Sequence, residues 1–163
     1  MNGVARVLRS LHHGERLLAE QLVTVAGRHR AEHEIHHVAT DLARWSDEHR
    51  LRIAEEDVRR GLGLDGAVPD GGNVGGTGAD DAADHPDPAL LLLYDLRELH
   101  LGAAGNALYW EMLAQAARAG HDHELSRLAA ACHPRTVRQM RWATTMLKNL
   151  APQTLAVTRD GST

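Results

Sequence analysis

Residues 31–56 read AEHEIHHVATDLARWSDEHRLRIAEE, and their spacing decides the fold. Ala31, Ile35, Val38, Leu42, Trp45, His49, Ile53 and Glu56 recur at steps of three and four, which stacks them along one stripe of a long α-helix. At about 100° per residue, His49 falls near the centre of this otherwise apolar stripe. His29, His33 and His36 fall on roughly the opposite face, with His37 beside them. Gly61 and Gly63 end the pattern, and Arg59 and Arg60 suit the negative end of the helix.

The same period extends outward on both sides. Residues 4–26 predict a first helix with Val4, Val7, Leu11, Leu18, Leu22 and Val25 on one face, Glu15 inside that face and Gly27 as its stop. The second helix covers residues 31–60. The short break between them predicts an antiparallel hairpin. A third helix is expected over residues 89–119, with Leu92, Leu96, Leu99, Ala103, Trp110, Leu113 and Ala117 as its face, Asn106 near the centre and Gly120 as its stop. A fourth covers residues 122–150, with Leu125, Leu128, Cys132, Trp142 and Met146 aligned and Arg135 and Gln139 in the same stripe. Pro134 should kink or restart it, Pro152 should end it, and the tail from Gln153 should fray.

Residues 61–88 differ in kind: Gly and Asp dominate, Pro recurs and apolar residues are few. This composition predicts a flexible Gly/Asp-rich crossover. About 27 residues can span about 90 Å, twice the length of a helix of about 30 residues, so the crossover can run from one end of a bundle to the other. Gly72, Gly75, Gly76 and Gly78 do not make a phosphate cradle, because no strand precedes them and no Lys-Ser/Thr pair follows. The expected fold is one all-α domain over residues 1–163, a four-helix bundle of two antiparallel hairpins.

Composition bounds the function. The chain has 163 residues, no Phe and one cysteine, Cys132. A formal net charge of −4 gives no basic footprint, so nucleic acid is not an expected partner. No apolar run is long enough for a membrane span, and no leader pattern opens the chain. The lone cysteine suits a reducing compartment, so a cytoplasmic location is expected. Small residues around Ala103, Ala104, Ala107 and Ala114 would let another helix approach closely, and a homodimer through the third helix or its neighbour is expected. Twelve histidines are the outlier.

Two long hairpins joined by one long crossover is the plan of the ferritin-like bundles. The run GERLLAEQL, Gly14 to Leu22, resembles the start of the small bacterial stress-induced ferritin-like proteins, in which a similar acidic residue precedes a Leu-Leu pair. The resemblance implies a ferritin-like bundle, a stress-related role and a di-iron centre built from Glu-x-x-His on two helices with single carboxylates on the other two. Glu15 matches a ligand position. The one Glu-x-x-His is Glu34 to His37, which faces away from the core stripe, and the fourth helix carries Arg135-Thr-Val-Arg138-Gln139 where acids are expected.

Polar residues at core positions are therefore the candidate site. In the expected bundle, Glu15, His49, Asn106, Arg135 and Gln139 come within a turn or two of one another. They can satisfy each other as a buried polar network: Glu15 accepts, Arg135 donates in a fork, and the others do both. This reading needs no cofactor and describes a non-enzymatic module, with no catalytic residue and with a network in place of a di-iron site. A metal site for iron or manganese, using Glu15 and His49 with Asp41 or His100, is the alternative, as a ferritin-like oxidoreductase or metal store. A carrier with a small-ligand cavity between helices is the other. His29, His33, His36 and His37 have the spacing to hold a divalent ion on a helix surface, against the commoner solvated state. Cys132 beside His133 reads as core packing, since adjacent helical residues point about 100° apart.

Overall fold

The computed structural model describes residues 2–64 and 87–156. The crossover expected at 61–88 lies mostly outside the described residues, as does the chain beyond 156. Four helices account for nearly all of what is described: α1 (Gly3–Arg28), α2 (His33–Arg60), α3 (Pro88–Ala119) and α4 (His123–Ala156). No strand occurs among the described residues, so the chain is an all-α helical bundle. No described helix is long and apolar enough to cross a membrane.

Side chains next to the helices decide where they begin. The Asn2 side chain accepts from the Ala5 amide at 2.8 Å, Asp87 accepts from Ala89 ahead of Pro88 in the first turn of α3, and Asp122 accepts from Leu125 at 3.0 Å. Each replaces a bond that the first turn cannot make within the helix. Gly61, at φ 61°, ends α2 in the left-handed conformation that a side chain would strain.

The restart expected at Pro134 and the end expected at Pro152 are corrected. Neither Pro134 nor Pro152 interrupts α4, which runs on to Ala156. Each proline removes a donor and leaves the carbonyl four residues earlier without its helical partner. Those carbonyls belong to Ala130 and Lys148, and all four residues are exposed. Water can serve the freed groups, so the helix tolerates both rings.

α1 packs against α2 and α3, and α4 against α3 and α2. Across α1 and α2, Ala26 meets His36, Glu15 meets His49 and Arg9 meets Gly63. Between α3 and α4, His100 meets Thr144 and Glu111 meets His133. Arg60 reaches Asp122, and Gln139 reaches Ser46.

The buried stripe of α2 is Ile35, Ala39, Leu42, Ala43, Ser46, His49, Ile53 and Glu56. It is rotated from the expected stripe toward Ala39, Ala43 and Ser46: Ala31 lies ahead of the helix, and Val38 and Trp45 are half-buried. Small residues at the new centre allow α2 to approach its neighbours closely. The Ala-rich surface expected on α3 is also corrected, because Ala103 and Ala107 are buried in the core and Ala104 and Ala114 are half-buried.

The apolar core has two parts. One gathers Leu18, Leu22, Ile35, Leu42, Leu96, Leu99 and Met146. The other gathers Leu8, Leu11, Ile53, Trp110, Leu113, Leu125 and Cys132. On every helix the break between the two parts is occupied by buried polar residues: Glu15 on α1, Ser46 and His49 on α2, Asn106 on α3, Thr136 and Gln139 on α4.

Candidate functional site

This polar layer is the candidate site, and Glu15 is its centre. Glu15 is completely buried. Its Oε1 accepts from the Trp110 indole N–H at 3.0 Å and faces His49 Nδ1 at 3.0 Å. Indole nitrogen can only donate, so the oxygen is the acceptor from Trp110, and the direction of the His49 bond follows the imidazole tautomer. The His49 and Trp110 rings meet edge-on, 6.0 Å apart at 79°. Thr136 Oγ1 stands 3.5 Å from the same oxygen and donates to the Cys132 carbonyl at 3.1 Å. Gln139 Nε2 donates to the Leu42 carbonyl and to Ser46 Oγ, each at 2.9 Å. Asn106 lies against Gly14, where an added methyl would stand 2.2 Å from Asn106 Oδ1; glycine is what lets α3 bring this amide onto α1.

The structure thus brings Glu15 and His49 into contact and places Asn106 and Gln139 in the same buried layer. Arg135 is a correction. Its side chain is 39% exposed, it pairs with Glu48, and its guanidinium lies over the Trp45 ring, 5.3 Å from the centroid. A guanidinium is costly to take from water, and a surface carboxylate with an aromatic face holds it more cheaply than the interior would. Its neighbour Thr136 takes the inward position instead.

The proposed metal set is not assembled. Asp41 is on the outer face, 65% exposed and paired with Arg44. His100 turns toward α4, with Nδ1 2.6 Å from the Thr144 hydroxyl and 3.3 Å from the Met140 carbonyl. Among the described residues no group of three His, Cys, Asp or Glu side chains converges as metal ligands would.

The histidine stripe divides. His29 lies past the end of α1, buried, with Nε2 2.7 Å from Asp95 Oδ2; Asp95 also takes both of its contacts from Arg28. His36 donates from Nδ1 to the Ala26 carbonyl. His33 and His37 remain exposed, their rings stacked 6.1 Å apart, with His36 edge-on to His37. The stripe assumed that His29 continues α2, whereas the chain turns between them.

Trp110, Ser46 and Thr136 were not among the expected site residues. Trp110 was visible as core, and its buried indole N–H, which needs an acceptor, was the available signal. Ser46 sits one turn before His49 on the same helix. Glu56 is also buried, and is held by Arg59 at 2.8 Å and Arg60 at 3.5 Å. Those arginines bind Glu124 and Asp122 at the start of α4. Arg60 beside it, then the Leu125 amide, holds the Asp122 carboxyl below its usual range. Burial pushes the Cys132 thiol up to about 12, far from a reactive thiolate.

Four buried atoms of the layer make no hydrogen bond to a described protein group: Glu15 Oε2, His49 Nε2, Asn106 Nδ2 and Gln139 Oε1. A hollow of about 560 Å³ lies at the bundle end lined by Arg28, Asp87, Leu92 and Leu150, and a second depression lies on the outer face of α2 around Leu51 and Val58. Neither is lined by Glu15 or His49. No protein-family model, no curated protein and no solved structure matches the chain.

Proposed function

We propose that the chain is a ferritin-like bundle of two antiparallel hairpins, joined by the segment 61–88 as a crossover, and that it works as a non-enzymatic binding or structural module. The contacts of 26 with 36, 15 with 49 and 9 with 63 support an antiparallel α1/α2 pair, and those of 100 with 144 and 111 with 133 support the same for α3/α4. A cytoplasmic location and a stress-related role are part of this reading, the first resting on the single buried free thiol, the second on the resemblance of residues 14–22.

The observation that carries the reading is the state of Glu15. Its Oε1 accepts from the Trp110 indole N–H and lies 3.0 Å from His49 Nδ1, and a carboxyl group so held by its own fold acts as a structural hydrogen-bond partner. A di-iron centre draws on roughly four carboxylates and two histidines. The layer offers one of each, so its donor set does not fit that group. A single-metal reading keeps one observation in its favour, the unpartnered Glu15 Oε2 and His49 Nε2.

Metal analysis of protein purified without a histidine tag separates the two readings. The expected result is iron and manganese well below one per chain, and a melting temperature that EDTA does not change. A stoichiometric metal that is lost in Glu15→Gln would overturn the non-metal reading.

A further inference from the structure

We propose that the outer face of α3 is the interface with a second copy of this chain, packed antiparallel across Gly105. This inference goes beyond the function proposed above and does not depend on it. α3 buries Leu96, Leu99, Trp110 and Leu113 inward, yet its outward side is also apolar. Leu101 is 48% exposed, Leu108 64% and Met112 53%. With Gly105 they follow steps of four, three and four and share one face. Nothing lies within 4 Å of where a Gly105 side chain would begin, so another backbone can come close there. A helix that is apolar on both sides is ordinarily covered on both.

Charge and shape identify the cover as the same face reversed. In an antiparallel pair crossing between Ala104 and Gly105, residues whose numbers sum to 209 lie level. Leu101 then meets Leu108 of the second copy, and the two smallest residues, Ala104 and Gly105, meet at the crossing. Arg97 falls level with Met112 and therefore next to Glu111. Arg97 and Glu111 lie on the same flank of the stripe, 14 residues apart, and like flanks face each other in an antiparallel pair. The symmetry forms this opposite-charge contact twice. Both side chains lie at the surface, Arg97 61% exposed beside Glu98 and Glu111 49% exposed beside His133 and Gln115, and each shares or exchanges that surface partner in the dimer.

Sedimentation equilibrium on the full chain, from about 1 to 100 µM, tests the interface. The wild type should reach a dimer in this range. Leu108→Glu, at a site exposed within the monomer, should leave a folded monomer by circular dichroism. Glu111→Arg should weaken dimerisation at least about tenfold, and adding Arg97→Glu to it should restore most of that loss, as expected for a contact between complementary charges. A wild type that stays monomeric at the highest concentration overturns the proposal, and would be the result if another part of the chain covers this face. A dimer that survives Leu108→Glu, or a charge swap that fails to restore, overturns it too.

Discussion

A single carboxylate organises the interior. Glu15 is fully buried, and leaving a buried hydrogen-bonding group unsatisfied costs about 1–3 kcal/mol. Removing one partner leaves the other's polar atoms stranded, so the pair is expected to be strongly coupled. In a double-mutant cycle, Glu15→Met and His49→Leu should show a coupling of about 1–3 kcal/mol by denaturant unfolding. Glu15→Met combined with Arg135→Met should be additive within about 0.5 kcal/mol, because Arg135 binds Glu48 and Trp45 instead. Additivity between Glu15 and His49 would dissolve the layer as an energetic unit. Glu15 and His49 were legible in the sequence because each interrupts an apolar stripe. Arg135 was misplaced because one residue, about 100° of rotation, separates it from the inward-facing Thr136.

Helix ends carry the pH dependence. Asp122 opens α4 by accepting from the Leu125 amide and ties it to α2 through Arg60. His121, just ahead, adopts a left-handed φ of 52°, so the turn is made at a histidine rather than at the adjacent Gly120. The Asp122 carboxyl is held below its usual range, by Arg60 first and the Leu125 amide second. A lowered folded value means that the unfolded chain takes up the proton first. The contribution is full above the unfolded value of about 3.9 and is lost as pH falls through the folded value below it. Asp122→Asn keeps the cap but not the charge. Wild type should be more stable than Asp122→Asn at pH 7, and the gap should begin to close as pH falls below about 4. A gap that is the same at every pH through the acid limb of the stability curve would show that the charge is not its source. The prolines of α4 give the corresponding lesson about elements: their effect depends on whether the freed carbonyl faces water, and sequence alone does not show that.

Across the whole molecule, two apolar parts are joined through one polar layer, and their shared helices should make them unfold together. Cys132 reports on this. It is fully buried in the part with Trp110 and Leu125, and burial pushes its thiol up to about 12. Labelling by a disulfide reagent should be very slow in the native state. Its rate should rise as denaturant lowers the measured global stability, because the thiol becomes accessible only when the bundle opens. Rapid labelling under strongly native conditions would mean that this part opens independently.

The sequence by itself determined that the chain forms four helices and where most of them start and stop. Periodicity, capping side chains and terminating glycines act over three or four residues, and that range is visible in a linear string. It also marked Glu15, His49, Asn106 and Gln139 as polar residues on apolar faces. Only the tertiary structure decided which of them meet. Glu15 contacts Trp110 from 95 residues away and Gln139 contacts Ser46 from 93 away. Those contacts depend on how each helix is rotated about its axis. One residue of rotation sends Arg135 to solvent and Thr136 to the core, brings Ser46 and Ala43 inward on α2, and turns His100 toward Thr144. The energy that selects each rotation is the summed packing of every helix against its neighbours, and no single segment contains it.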